Sequence, residues 1–277
     1  MANPAVIMTI AGSDSGGGAG IQADLKTMTL LGGFGISAIT ALTAQNGEGV
    51  RGIHAPDPVF MRTQLETLLD GFPIAAAKTG MLFSAQLMDV IAECLSGKTF
   101  PLVVDPVAVS QSGHKLLQDD AVSALVNRII PLADLVTPNG PEAEALTGKT
   151  LRTVADVADM ARILMDKGAK AVLLKGGHFT PVDMVSQDTM TDWLCLPGKE
   201  PKGLSHKRVN TVNNHGTGCT LSAAIATFIG LGKDLEEAIA LAQEYLVAAL
   251  AASYAPGIGC GPPNFPAGAA AIQKRRC

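Results

Sequence analysis

Apolar residues run along this chain in two rhythms. Short continuous runs rich in β-branched residues alternate with stretches whose apolar positions recur every three or four residues. The first kind predicts strands covered on both faces, the second amphipathic helices. Residues 5–11 (AVIMTIA) read as a strand, followed by a glycine-rich loop and a helix over residues 20–31. A strand over 36–44, a helix over 58–69, a strand over 74–78 and a helix over 84–95 come next, with Ser84 as N-cap. Then follow a strand over 102–105 ending in an acid, a helix over 119–130, a strand over 133–137 and a short helix opened by Pro141. A helix over 154–167 and a strand over 171–175 complete the regular part. Between 183 and 209 the pattern weakens to short strands at 183–186, 191–196 and 207–209. Helices resume at 217–230 and 235–254, and the segment from Gly257 onward reads as loosely ordered.

Strand–helix alternation of this kind implies a mostly parallel sheet with helices on both faces, an α/β/α arrangement. One domain over residues 1–277 is expected, with a small β-rich insertion near 181–210. In such sheets ligands bind beyond the carboxyl ends of the strands. The polar and glycine-rich segments fall there: residues 12–20, 78–81, 105–113, 137–142 and 175–178.

Composition narrows the class. The chain of 277 residues is 47% hydrophobic and 17% charged, which excludes a disordered tail. A net charge of −4 without a basic stripe argues against nucleic acid as a partner. With 8 Phe, 2 Tyr and 1 Trp against 30 Gly, the core must be aliphatic and the turns tight. The 5 cysteines are scattered without a C-x-x-C pair, so neither a disulfide framework nor a zinc site is expected. Residues 1–16 read as a first strand rather than a signal peptide, and no apolar run is long enough for a membrane span. The expectation is a cytoplasmic protein.

Two apparent motifs fail on context. Residues 47–52 (GEGVRG) match G-x-G-x-x-G by letter, but IHAPDP follows and cannot open a helix. Gly148-Lys149-Thr150 resembles the end of a P-loop, yet Ala143 stands where a glycine is required. His54, His114 and His206 are isolated and read as structural or surface residues.

Three constellations carry chemistry. His215-Gly216-Thr217-Gly218-Cys219 precedes a helix of small residues, so its glycines can turn successive amides one way and form an anion nest. Dipole and amides there are expected to lower the Cys219 thiol pKa; the bland alternative is an N-cap with a buried cysteine. Residues 12–20 (GSDSGGGAG) hold five glycines in nine and permit close backbone approach to a ligand, or form a plain tight turn. Asp24 and Lys26 on the next helix could simply be solvated. Asp105 ends one strand and Asn139-Gly140-Pro141-Glu142 follows another, so one carboxylate from each could hold Mg²⁺ through waters. Lys175-Gly176-Gly177-His178 could place a cation or backbone beside a nucleotide. Together these describe a nucleotide phosphotransferase without a P-loop.

These residues resemble a known family, the hydroxymethylpyrimidine/phosphomethylpyrimidine kinases of thiamine biosynthesis in the ribokinase superfamily. The matching segments are residues 11–26, 43–46 (TAQN), 78–81 (KTGM), 103–107 (VVDPV), 137–148 (TPNGPEAEALTG), 173–178 (LLKGGH) and 215–226 (HGTGCTLSAAIA). The resemblance implies a three-layer ribokinase-like fold, a homodimer, and transfer of the ATP γ-phosphoryl group with Mg²⁺ as cofactor. The acceptor would be 4-amino-5-hydroxymethyl-2-methylpyrimidine, then its monophosphate. By resemblance, Gln45 reads the aminopyrimidine edge, and Gly12, Ala19, Asp24 and Met81 fall at substrate-pocket positions. Cys219 takes the place of the superfamily's usual catalytic Asp as base, while the amides of Gly216, Thr217, Gly218 and Cys219 hold the transferring group. Glu142, with Asp105, organises Mg²⁺; Lys175, Asn139 and Gly177 contact ATP.

Departures from the family pattern fall at Ala108, Gly140, Asn210, Val212, Asn214 and residues 184–203. They touch substrate detail rather than the phosphotransfer site. Two alternatives remain: a pyridoxal kinase on the same scaffold, and a ligand-binding regulator without catalysis. The presence of Gly216, Gly218, Cys219 and Glu142 speaks against the second.

Overall fold

The computed structural model describes residues 3–107, 120–178 and 188–276. Two expectations, the strand at 183–186 and the Ala108 departure, lie outside these residues, as does His114. Among the described residues, nine strands form one sheet in the order β3-β2-β1-β4-β5-β6-β7-β8-β9. Six of them run parallel: β1 (Val6–Asp14), β2 (Phe34–Asn46), β4 (Ile74–Thr79), β5 (Leu102–Val104), β6 (Leu135–Val136) and β7 (Val172–Leu174). The apolar runs of β1, β5, β6 and β7 are buried on both faces, as a parallel sheet requires, while β2 alternates buried with more exposed positions.

Helices cover both faces. On one side α2 (Pro58–Gly71), α3 (Ala85–Leu95), α5 (Gly140–Thr147) and α6 (Val154–Asp166) enclose a core that includes Met61, Leu87, Ile91 and Leu164. On the other, α1 (Gly20–Leu30), α7 (Thr217–Gly230) and α8 (Leu235–Ala251) enclose Ile7, Met28, Phe228 and Tyr245. Local chemistry sets the starts. Ser84 caps α3 by accepting from the Leu87 amide at 3.3 Å, as expected, and Asn139 and Glu142 form a reciprocal capping box at α5.

Four expectations change. Residues 49–54, dismissed with the false dinucleotide motif, form β3 (Gly49–His54), antiparallel to β2. The helix expected over 119–130 is a short turn, α4 (Ala121–Ala124), that widens into a π-helical turn at Leu125–Ile129 before a 3₁₀ turn at Ile130–Leu132. Pro131 explains the change, since it lacks an amide proton and its ring crowds the carbonyl four residues back. The expected strand at 207–209 lies earlier, as β9 (Lys202–Lys207), paired antiparallel with β8 (Thr189–Cys195). The segment from Gly257 is not loose: it ends in α9 (Phe265–Arg276), which packs on α8.

Candidate active site

The carboxyl ends of β1, β4, β5, β6 and β7 open into a cavity of about 820 Å³. Helix α7 points its N-terminus into it. Gly216, the N-cap, has φ 82°, and a Cβ there would lie 2.0 Å from the Gly18 carbonyl oxygen. Only glycine meets both conditions. The first-turn amides of Gly218 and Cys219 have no acceptor within the helix, and both residues line the cavity. The Thr217 amide instead donates to the Asn214 carbonyl at 3.3 Å, so the nest is narrower than the sequence implied.

Facing the nest is a lysine between two carboxylates. Lys175 Nζ lies 3.0 Å from Asp105 Oδ1 and 3.7 Å from Glu142 Oε2. Ser222, one turn into α7, donates to Asp105 Oδ2 at 3.2 Å, and Thr137 donates to Oδ1 at 3.3 Å. Glu142 also accepts from the Asn139 amide at 2.8 Å. Burial opposes charge on all three groups, and their mutual attraction decides the outcome. Asp105 ends below its ordinary value, pulled by Lys175 and Lys78. Lys175 ends above its own, held by both acids. Glu142 ends raised, because burial and Asp105 outweigh Lys175. A Cβ on Gly218 would lie 3.5 Å from both Asp105 Oδ2 and Lys175 Nζ, so this residue separates nest from cluster.

On the β1 side, Asp14 organises the glycine loop. Its carboxylate accepts from the amides of Gly16 (2.8 Å), Gly18 (3.0 Å) and Ala19 (2.8 Å). His215 Nε2 is 2.9 Å from the same group. Burial raises the Asp14 pKa, but the His215 and amide hydrogen bonds outweigh it and leave it lowered. Sequence reading passed over Asp14; an acid one residue ahead of three consecutive glycines was the available signal. Gln45 lies alongside, with Oε1 accepting from Thr43 at 3.1 Å and Nε2 3.4 Å from His215 Nε2. Gly12, Ala19, Gln45 and Met81 all line the cavity.

Asp24 does not. It is fully buried beneath the cavity, ion-paired to Lys78 at 3.1 Å and accepting from Thr9 at 2.6 Å. Neither a substrate contact nor a solvated charge describes it. Cys219 also departs from expectation. Burial pushes its thiol up to about 12, against the pull of the Lys78 ammonium. Desolvation outweighs the attraction of Lys78 and the Gly20 backbone hydrogen bond.

The far wall includes Gly177, Met190, Asp192, His206, Leu246 and Leu250, while Asn139 and Lys175 stand between it and the nest. His206 is not isolated: Nε2 is 3.4 Å from Asp192 Oδ2. Asp192 in turn accepts from the Gly176 amide (2.8 Å) and Gln243 (2.7 Å). A strap from the C-terminal region ties down the segments around Gly47 and His215. The Cys260 amide donates to the Gly47 carbonyl at 2.9 Å, and the His215 amide donates to the Gly261 carbonyl at 3.1 Å.

A helix-end anion nest, a lysine held by two carboxylates and a glycine loop, gathered above a parallel sheet in an α/β/α sandwich, define a kinase of the ribokinase-like fold. The family model for phosphomethylpyrimidine kinase matches residues 14–264, and the chain belongs to that family. A hydroxymethylpyrimidine/phosphomethylpyrimidine kinase of Haemophilus influenzae is 45% identical over 95% of this chain and 97% of its own. A bifunctional thiamine biosynthesis protein of Geobacter sulfurreducens is 47% identical over 97% of this chain, which spans 54% of that longer protein. Among solved structures, a Bacillus subtilis pyridoxal kinase in complex with ADP superposes with a TM-score of 0.84 at 33% identity, covering 96% of this chain and 98% of its own.

Proposed function

We propose that residues 1–277 form one kinase domain that transfers the γ-phosphoryl group of ATP to 4-amino-5-hydroxymethyl-2-methylpyrimidine, and then to its monophosphate, in thiamine biosynthesis. The observation that carries this reading is the nest at Gly218 and Cys219 opposite Lys175 and Asp105, separated by the width of one glycine. Anionic charge spread over a transferring phosphoryl group is stabilised by amides and cations already in place.

Gln45, Gly12, Ala19 and Met81 hold the pyrimidine with its hydroxymethyl group toward Cys219. The Cys219 thiolate accepts the hydroxyl proton as the oxygen attacks phosphorus. With its pKa raised by burial the thiol keeps its proton, so a thiolate base depends on Lys78 and Lys175, whose charges oppose that desolvation. Gly216, Thr217, Gly218 and Cys219 frame the transferring group, and Lys175, Asn139 and Gly177 hold the nucleotide phosphates. Asp24 supports this floor from below rather than touching substrate.

The donor chemistry at Asp105 and Glu142 fits Mg²⁺, which takes one or two carboxylates and completes its shell with phosphate oxygens and water. Among the described residues no larger His/Cys/Asp/Glu cluster exists, so the two acids would hold the ion jointly with the nucleotide. When bound, the ion supplies charge neutralisation at the phosphates.

The family resemblance suggests a homodimer. Phe34, Leu42, Val59 and Phe60 on β2 and α2 leave an apolar surface that a second copy would cover. A cytoplasmic location belongs to the same proposal. No described helix is long and apolar enough to cross a membrane.

One observation favours a second reading, a pyridoxal kinase: the superposition on the Bacillus subtilis enzyme over nearly the whole chain. The 45% identity to the Haemophilus enzyme outweighs it. Steady-state turnover of the pyrimidine, its monophosphate and pyridoxal with Mg·ATP decides between them. The expected order places both pyrimidines above pyridoxal. Preference for pyridoxal overturns the main reading, and no turnover of any of the three favours a regulator.

A further inference from the structure

Lys78 is a charged residue in the middle of the molecule with no solvent contact. It is the last but one residue of β4, a strand otherwise built from Ile, Ala and Thr, and its side chain is 0% exposed. Its ammonium donates to both oxygens of Asp24, at 3.2 and 3.1 Å, and Asp24 is equally buried. A Cβ built on Gly80 would be 3.0 Å from Lys78 Nζ and 3.0 Å from Ala11, so the ammonium lies just under the cavity floor that Ala11, Gly12 and Met81 form. Helix α7 packs on both β4 and α1, which carry Lys78 and Asp24. A Cβ on Gly230, the last residue of α7, would lie 3.3 Å from Ala76 Cβ in the first half of β4, so α7 runs back along the strand and its first turn, with Cys219, lies toward the end where the Lys78 ammonium sits.

Burying an ion pair is a weak source of stability, because desolvation offsets most of the attraction. An apolar pair would fill this space at least as well. The pair makes sense if one of its charges acts on a neighbour. We propose that Lys78 is a positioning residue of the phosphotransfer site, whose buried ammonium, clamped by an Asp24 carboxylate that Thr9 holds in turn, stabilises the Cys219 thiolate from below while Asp24 opposes it.

The charged groups that act electrostatically on the sulfur include Lys78 from β4, Asp24 from α1, Asp105 beyond β5 and Lys175 beyond β7. Burial raises the thiol pKa, and Lys78 heads the groups that lower it, while Asp24 and Asp105 raise it further. Lys78 itself stays protonated, since Asp24 and the other acids outweigh its desolvation. The catalytic meaning of this arrangement rests on Cys219 being the base.

The two partners should act with opposite sign, which a merely structural pair would not do. The test follows iodoacetamide alkylation of Cys219 in the intact chain, resolved by peptide mass spectrometry, from about pH 7 to about pH 10. Lys78→Met should slow alkylation about tenfold at a given pH, the effect of roughly one pKa unit. Asp24→Asn should speed it, and the double variant Lys78→Met/Asp24→Asn, which leaves no lone buried charge, should lie between the two. Turnover by Lys78→Met should recover as pH rises while KM for the acceptor stays put. Unchanged alkylation in Lys78→Met, or equal slowing in all three variants, overturns the proposal. If Lys78→Met does not fold, Asp24→Asn and the double variant still give the sign. Near-normal turnover by Cys219→Ser would instead retire the base assignment and leave the alkylation result standing.

Discussion

A single missing Cβ at Gly218 separates the amides of the nest from the charges opposite. A methyl group there meets Asp105 and Lys175 at 3.5 Å, an ordinary contact, so Gly218→Ala should fold with a melting temperature within a few degrees of the parent. It would nevertheless fill the space a phosphoryl group needs, and kcat should fall by about two orders of magnitude, the scale of a lost oxyanion contact. Calorimetry alongside steady-state kinetics checks both halves. Gln45→Ala should weaken acceptor binding about tenfold, the scale of one hydrogen bond, with KM for ATP unchanged. At this scale the sequence displayed the parts but not their state. The letters HGTGC and KGGH stand next to one another in the fold as expected. The raised thiol pKa of Cys219 and the removal of Asp24 from the cavity depend on burial, which no local pattern encodes. Lys78 carried a signal that was overlooked: a lysine ending a strand covered on both faces must be paired.

Elements built on a strong apolar period were legible, and those without one were not. Helix α7 spans the residues its small apolar run predicts, Thr217–Gly230. Strand β3 was hidden by glycines and by lying at the sheet edge, where its residues stay largely exposed. Helix α9 was hidden by an alanine-rich sequence opened by proline, although Phe265, Ala269 and Ile272 share one buried face. Ile272→Ala should therefore destabilise the protein by about 2–4 kcal/mol, measured by denaturant unfolding; a loose C-terminal segment would show no change. The glycine loop makes a pH-dependent prediction. The Asp14 pKa is lower folded than unfolded, so its contribution is present above the unfolded value and fades as pH falls through the folded one. The gap in melting temperature between the parent and Asp14→Asn should thus be constant above about pH 5 and close below about pH 4.

For the whole molecule, strand–helix alternation was enough to anticipate the sheet, its layers and the edge that carries chemistry. It was not enough for assembly. Val59 and Phe60 are 75% and 57% exposed, so replacing both with Glu should leave the fold intact and convert a dimer to monomer in sedimentation velocity. If the parent already sediments as a monomer, that surface has another role.

The hydrogen bond between Asp14 and His215 joins residues 201 positions apart, and the strap at Gly261 comes later still. At roughly 5–20 residues per second of synthesis, the first loop waits about 10 to 40 s for the partner that completes it. Until then its carboxylate holds the loop amides alone, and the cavity lacks the wall that residues between 206 and 221 supply. A nascent chain should therefore build most of its sheet well before it can bind substrate. Ligand added during translation could assist only the closing stage.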